Sequence, residues 1–162
     1  MRGVTHRLWE LRRRGEFRLN ALPTADWTFD HVGIVVADFA GALALYTGTF
    51  GFAIRYRETL AAHGIEAVGL ALGAQTIELL RPLAPDSPVA RFCGKAESRL
   101  HHVAYRVPDV AAELARLEAL GVRLIDRVPR PGAHGNLVAF LHPSATLGVL
   151  TELCAPAGKP RS

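Results

Sequence analysis

Two histidines and two glutamates occur at matching places in the two halves of this 162-residue chain. His31 begins the segment HVGIVVADF and His102 begins HVAYRVPDV, and the two segments align without a gap. Glu78 and Glu152 each lie four residues before a proline. Imidazole nitrogens and carboxylate oxygens together are typical ligands of a divalent transition metal ion. The repeat therefore predicts one metal site shared by both halves. Its predicted ligands are His31, Glu78, His102 and Glu152.

The apolar surroundings of these residues support that prediction. Glu78 and Glu152 each lie in the middle of a predicted strand among apolar neighbours. A buried carboxylate without a partner costs free energy, and coordination to an ion supplies the partner. A lone strand histidine is more often a hydrogen-bonded core residue than a ligand. The in-register repeat of the His–Glu pair favours coordination, with two octahedral positions left open for a substrate.

Periodicity and turn signals predict the elements that must position these residues. The first unit is predicted as a strand, a helix with Asp38 as its N-cap, and three further strands. The second unit repeats this βαβββ order, with a polar, glycine-rich loop before its last two strands. The predicted ranges are strand 28–37, helix 38–49 and strands 53–58, 66–72 and 76–80, then strand 100–107, helix 109–120, strand 122–128, loop 129–135 and strands 136–141 and 147–154.

These ranges predict one α+β domain over residues 28–156. Module one spans 28–82, a linker spans 83–99 and module two spans 100–156. In the linker, the sequence PDSP at 85–88 predicts a short helix with a proline at its first position. Residues 1–27 are predicted to be a weakly ordered extension, and residues 157–162 a tail.

Composition excludes several functional classes. Six arginines within the first twenty residues account for much of the formal charge of +4, so the charge does not predict a nucleic-acid partner. No apolar run reaches membrane-spanning length, so no membrane partner is expected. The N-terminal segment does not resemble a signal or transit peptide. Two cysteines far apart in the sequence do not predict a disulfide framework, and a cytoplasmic location is expected.

The other histidines rank below the predicted ligands. His101 has the opposite strand parity to His102, so it is predicted to point into packing. His63, His134 and His142 lie at predicted turns. Of these, His134 belongs to the glycine-rich loop, where a side chain can face a bound substrate.

Longer segments carry a resemblance to a known family. The sequences DHVGI at 30–34, ELLRPL at 78–83 with DSP at 86–88, LHHVA at 100–104, PRPGAHG at 129–135 and LHPSATLGVLTEL at 141–153 resemble methylmalonyl-CoA epimerases of the vicinal oxygen chelate superfamily. The resemblance covers residues 29–153. The repeated His/Glu pattern is typical of the superfamily as a whole, whereas the DSP, AHG and C-terminal segments point to the epimerases.

The resemblance implies a vicinal oxygen chelate fold, in which tandem βαβββ modules form a curved mixed sheet around a metal site. It implies that the four residues named above are the metal ligands. The ion in such enzymes is typically cobalt, with manganese, nickel or zinc as alternatives. The implied partner is an acyl-CoA substrate, methylmalonyl-CoA or another 2-substituted malonyl-CoA, exchanged between its (2R) and (2S) forms. Superfamily members are often dimers, so a homodimer is the implied assembly.

The implied reaction needs acid/base groups on both faces of the substrate α-carbon, while a Lewis acid stabilises the charge left by proton loss. Glu152 is the predicted catalytic residue on one face. Ala67 stands where some family members have a glutamate proposed as a base, and Glu66 has the opposite parity. The alternatives for the second face are Glu78, a water or His134.

Other assignments stay open at this point. Lys95, Arg99 and Arg130 are candidates for binding the CoA diphosphate, although each is equally typical of a solvated surface. A glyoxalase I-type lactoylglutathione lyase uses the same fold and a similar His/Glu set. An extradiol-type dioxygenase uses two histidines and one carboxylate, so the fourth predicted ligand, Glu78, speaks against it. A non-catalytic small-molecule-binding protein of this fold would normally lack the full ligand set.

Overall fold

Each half of the chain contributes strands and one longer helix to a single eight-stranded mixed sheet. The structure, a computed structural model, describes residues 26–158. The strands are β1 Thr28–Val36, β2 Ile54–Leu60, β3 Ile65–Leu72, β4 Gln75–Pro82, β5 Ser98–Arg106, β6 Arg130–Pro131, β7 Asn136–Leu141 and β8 Thr151–Pro156. The helices are α1 Phe39–Ala44, which continues as a π-helical turn Leu45–Thr49, α2 Pro88–Cys93 and α3 Val110–Ala119. Short 3₁₀ turns lie at Ala61–His63, Ala133–Gly135 and Pro143–Ala145.

The order of the strands reveals a pseudo-twofold axis between β1 and β5. The order of strands across the sheet is β2-β3-β4-β1-β5-β8-β7-β6. Read outward from the centre, each half therefore has its first, fourth, third and second strands in the same order. β1 is parallel to β4 and β5 is parallel to β8, while β1 and β5 pair antiparallel at the centre. The prediction of an α+β fold built from tandem modules around one curved mixed sheet is confirmed.

Polar caps begin the helices where the sequence predicts them. The Asp38 carboxylate accepts a hydrogen bond from Gly41 N, and Asp109 accepts one from Ala112 N. The Ser87 hydroxyl caps α2, whose first residue is a proline. Each cap satisfies a backbone N–H that the helix itself leaves unpaired.

Helices α1 and α3 cover one face of the sheet, whereas α2 packs on the other face, beside the cavity. On α3, Leu114 and Leu117 pack against Leu153 of β8, whose neighbour Glu152 points to the opposite face. On α1, Phe39 belongs to a second cluster with Leu79 and other residues. Strand alternation therefore turns the polar side chains of the central strands away from α1 and α3.

The predicted strand 122–128 is wrong. These residues pair with the sheet through one isolated antiparallel bridge, between Leu124 and Leu141. The N–H groups of Ile125 and Asp126 both donate to Phe140 O, at 2.9 and 3.1 Å, and Asp126 Oδ2 accepts the Phe140 N–H at 2.9 Å. Because the carboxylate competes with the backbone for the ladder bonds, regular pairing stops, and the short strand β6 forms inside the predicted loop.

The last predicted strand begins four residues later than expected, at Thr151 rather than at residue 147. Leu147 and Gly148 have left-handed backbone angles, with φ of 58° and 92°. A strand cannot pass through two such residues, so the chain turns there before joining the sheet.

Most of the predicted N-terminal extension and C-terminal tail, residues 1–25 and 159–162, lies outside the described residues. Trp27, placed by the prediction in the extension, lies 5.7 Å from the Tyr105 ring and donates from its indole nitrogen to Glu113 Oε1 at 3.1 Å. None of the described helices is both long and apolar enough to span a membrane.

Candidate metal centre

The four predicted ligands converge on the face of the sheet opposite α1 and α3, one from each of the four central strands. The Nε2 atoms of His31 on β1 and His102 on β5 lie 3.0 Å apart. Oε2 of Glu78 on β4 lies 3.8 Å from the His31 nitrogen and 3.9 Å from the His102 nitrogen. Glu152 on β8 lies 3.9 Å from the first of these nitrogens through Oε1 and 3.6 Å from the second through Oε2. All four side chains are buried.

A glycine on β1 makes room for one imidazole. Gly33 pairs with Glu78 across one edge of β1 and with His102 across the other. A Cβ atom at this position would lie 2.2 Å from His102 Cε1, so the ring lies directly over the glycine. The absence of a side chain at Gly33 is therefore a condition for the position of His102.

The pseudo-twofold axis places a second small residue in the equivalent position. Ala104 of β5 pairs with His31 on one side and with Glu152 on the other. Ala104 is fully buried, beneath the same group of polar side chains. Each pair of predicted ligands thus flanks a small residue of a central strand.

Bulges precede both histidines, and one of them corrects a prediction. The β1–β5 pairing skips Asp30 on β1 and His101 on β5. Parity predicted that His101 points away from His102, which is wrong, because a bulge turns two successive side chains toward one face. His101 Nδ1 lies 3.0 Å from His102 Nδ1, and its ring is edge-on to Phe92. Both skipped residues line the same cavity as the predicted ligands.

Asp30 orients His31, and sequence reasoning missed it. His31 Nδ1 lies 2.8 Å from Asp30 Oδ1, and Arg106 Nε donates to Asp30 Oδ2 at 2.8 Å. A proton on Nδ1 shared with the carboxylate leaves the Nε2 lone pair facing the other donors, as a metal ligand requires. The signal in the sequence was the adjacency of Asp30 to His31. Simple strand alternation predicts that the two side chains point to opposite faces, and the bulge that turns both toward the cavity cannot be seen from it.

Tyr56 on β2 holds Glu78 in a similar way. Its hydroxyl donates to Glu78 Oε1 at 2.8 Å, which leaves Oε2 facing the two histidines. The Tyr56 ring lies over Gly69, where a Cβ atom would come within 2.2 Å of it. No sequence signal indicated this role, because a tyrosine on an edge strand is common.

Burial dominates the electrostatics of the site. Burial raises the pKa of Glu152 to about 8, with the charge of Glu78 acting in the same direction and His31 opposing it. Burial also raises the pKa of Glu78 and, with the other imidazoles, holds the pKa of His102 well below its usual value. Burial opposes protonation of His31 too, but the Asp30 hydrogen bond and the two glutamates outweigh it and raise its pKa.

This donor set fits a divalent metal ion. Donor atoms of His31, His102 and Glu152 all lie within 4.8 Å of one another. Ligands in adjacent positions around an ion at about 2.1 Å lie about 3 Å apart, as the two imidazole nitrogens do. Two neutral nitrogens and two carboxylates suit cobalt, zinc, manganese or nickel. The described residues therefore contain a His/Glu group able to hold such an ion.

The donor group lines a cavity of about 820 Å³. This is the size of pocket that accepts a drug-sized ligand or part of a larger one. Of the three cations predicted to bind CoA phosphates, Arg130 lines the cavity and Lys95 and Arg99 do not. The apolar lining includes Leu60, Ile65, Leu80, Val138 and Phe140.

Residues 130–135, here called the strap, close the open side of the sheet by reaching from β6 to β2. His63 Nε2 lies 2.7 Å from Pro131 O. The backbone N–H of His134 donates to both carboxylate oxygens of Glu58, at 3.1 and 3.2 Å. The His134 ring stacks on Tyr56, with centroids 5.0 Å apart and planes 15° apart. The two edge strands of the sheet thus meet across the cavity.

Neither Ala67 nor Glu66 supplies a second base at the cavity. Ala67 is fully buried in an apolar cluster with Leu80. Glu66 lies on the opposite face, where its carboxylate is bound by Arg57 and Arg81, so its predicted parity is confirmed. Neither residue lines the cavity.

The chain belongs to the glyoxalase/bleomycin resistance protein/dioxygenase superfamily, whose family model matches residues 30–140. The matched region includes three of the four predicted ligands and the strap.

Within that superfamily the chain is similar to methylmalonyl-CoA epimerases. It is 38% identical over 126 residues, 76% of this chain and 94% of the relative, to an ethylmalonyl-CoA/methylmalonyl-CoA epimerase of Cereibacter sphaeroides. A methylmalonyl-CoA epimerase structure from Mycobacterium tuberculosis superposes with a TM-score of 0.79 at 36% identity, covering 85% of this chain and 93% of that one. A Streptomyces coelicolor epimerase variant in complex with 2-nitronate-propionyl-CoA gives 0.76 at 34% identity, covering 81% and 95%.

We expect Gly33→Ala to weaken metal binding at least 10-fold, because the new Cβ displaces the His102 ring. Elemental analysis after dialysis and a chelator competition measure the change, with His102→Ala as the reference for loss of metal. Gly48→Ala is the matched control, since a Cβ at that site would meet nothing within 4 Å beyond its chain neighbours and its own helix backbone. Wild-type metal affinity in Gly33→Ala would contradict the register argument.

We also expect metal binding to release protons. Glu152, with a pKa of about 8, is largely protonated at neutral pH in the metal-free site, and an ion must displace that proton. Apparent affinity should therefore rise with pH and level off above about pH 8. Calorimetry in buffers of different ionisation enthalpy, at about pH 7, should show release of about one proton or more. Affinity that does not change between about pH 6 and 8 would exclude this account.

Proposed function

We propose that this protein is a metal-dependent methylmalonyl-CoA epimerase. It interconverts the (2R) and (2S) forms by removing the α-proton from one face of the carbon and delivering a proton to the other. The observation that carries the proposal is the convergence of two imidazoles and two carboxylates, one from each central strand, on the wall of a large cavity. Its membership of the superfamily and its similarity to epimerases over most of the chain support the same function.

The proposed ligands are His31, Glu78, His102 and Glu152. An ion held by them would supply Lewis-acid stabilisation of the negative charge that develops on the substrate oxygens. Cobalt is our first choice, and manganese, nickel and zinc suit the same donors. Asp30 and Tyr56 keep a nitrogen of His31 and an oxygen of Glu78 facing the centre of this group.

Glu152 is the proposed general base on one face of the substrate. Its carboxylate is buried and lines the cavity in which a substrate would lie. The α-proton between a thioester and a carboxylate is the acidic proton that such a base can take.

The acyl-CoA substrate is proposed from the cavity and from the relatives. The cavity combines an apolar lining with Arg106 and Arg130, which are positioned to attract the anionic malonyl group or the CoA phosphates. The Cereibacter relative is named for both ethylmalonyl-CoA and methylmalonyl-CoA, so the 2-substituent is left to the assay. A homodimer and a cytosolic location stay predictions.

The proposed function is tested by proton NMR of methylmalonyl-CoA in deuterated water. We expect the α-proton to exchange and the two stereoisomers to interconvert with cobalt-loaded protein, and both processes to stop after metal removal. Ethylmalonyl-CoA and a glutathione hemithioacetal are assayed in parallel. Turnover of the hemithioacetal alone would replace the epimerase assignment with a glyoxalase one.

We expect Glu152→Gln to lower the epimerisation rate by about 10² to 10⁴-fold, because an amide cannot accept the proton. Metal content is measured in the same samples, since an amide oxygen can still act as a ligand. Glu118→Gln, on the exposed face of α3, is the matched control. A rate within about threefold of wild type, with metal retained, would remove Glu152 from the mechanism.

A further inference from the structure

We propose that His134 of the strap is the second acid/base catalyst, acting on the face of the substrate α-carbon opposite Glu152. This inference rests on the proposed function, because a proton must leave one face and arrive at the other. It names the group that Ala67 and Glu66 do not supply.

His134 and Glu152 both line the cavity but come from different parts of the fold. Glu152 lies on β8, on the module-two side of the central strands. The strap begins with β6 and crosses to module one, where the His134 ring stacks on Tyr56 of the far edge strand β2. Tyr56 in turn donates to Glu78, the carboxylate across the centre from Glu152 in strand order. A substrate lying between β8 and β2 would therefore have the Glu152 carboxylate on one side and the His134 imidazole on the other.

The backbone fixes His134 in this position. It has φ of 56° and ψ of 35°, a left-handed conformation uncommon for a residue with a side chain. Its N–H is held by Glu58, and the strap is anchored on either side by bonds from Gly132 N to Asn136 O and from Ala157 N to Gly135 O, at 2.8 and 2.9 Å. Non-glycine residues held in this region cluster at functional sites. The backbone conformation, the Glu58 contact and the stack on Tyr56 thus hold the imidazole at the edge of the cavity.

The proton balance of the reaction is complete with these two groups. On one face, the C–H bond breaks, its electron pair stays on the substrate and delocalises into the thioester, and Glu152 takes the proton. On the other face, an imidazolium N–H of His134 breaks and its proton forms the new C–H bond, leaving neutral imidazole. Solvent then takes the proton from Glu152 and returns one to His134. In the reverse direction the two residues exchange roles.

The test variant is His134→Asn, since asparagine tolerates the left-handed conformation that this position requires. We expect epimerisation to fall about 10² to 10⁴-fold. In deuterated water, the isomer whose α-proton faces Glu152 should still exchange, while the other isomer should not. Metal content and calorimetric binding of the acyl-CoA should match wild type. His142→Gln, a histidine at a surface turn outside the cavity, is the matched control.

A second variant tests the inference independently if His134→Asn disturbs folding. His134→Gly also accepts the left-handed backbone, and we expect added imidazole to restore part of its epimerisation rate. Equal loss of exchange from both isomers, or no rescue by imidazole, would overturn the assignment and leave Glu78 or a water as the donor. Wild-type protein that exchanges neither isomer would instead refute the proposed function itself.

Discussion

The burial of two carboxylates beside two imidazoles is the electrostatic constraint on which the rest of this structure depends. Removing such groups from water costs several kcal/mol each unless a shared proton or cation offsets the loss. Without an ion, burial raises the pKa of Glu152, and the neighbouring carboxylates raise the pKa of His31 against the effect of its own burial. The surrounding features serve the same group: bulges bring Asp30 and His101 beside the histidines, and Gly33 lets one imidazole lie across a strand. A single cation would satisfy all four donors.

The duplicated modules are symmetric where they hold this group and unlike each other at their edges. The edge strand of module one, β2, is full length, whereas the equivalent edge strand of module two, β6, has two residues. The chain around Asp126, which repetition would have made a strand, is diverted by side-chain hydrogen bonds to Phe140 and Arg130. The strap, which follows this segment in the chain, lies over the cavity. Symmetry thus builds the donor group, and its loss at one edge supplies a residue, His134, that faces it.

Much of the fold and the convergence of the four donors could be predicted because the signals are local and repeated. Period-2 alternation located His31 and His102 on equivalent strands, and Asp38 and Asp109 marked two helix starts. The errors depended on partners distant in the sequence. The inward turn of His101 follows from a bulge against β1, and the loss of strand 122–128 follows from the carboxylate of Asp126 bonding to β7. Alternation within one strand cannot predict the bulge or the lost strand, because both depend on how that strand pairs with another one.

The central pairing of β1 with β5 also bears on how the chain folds. The two imidazoles that meet there are 71 residues apart in sequence, whereas β2, β3 and β4 pair through short turns. Closing a long loop costs entropy before its contacts compensate, and nonlocal pairing slows folding. Hairpins within each module should therefore form ahead of the junction between modules. The polar centre would be assembled only in that last step, so a folding intermediate with separate modules would have no complete site.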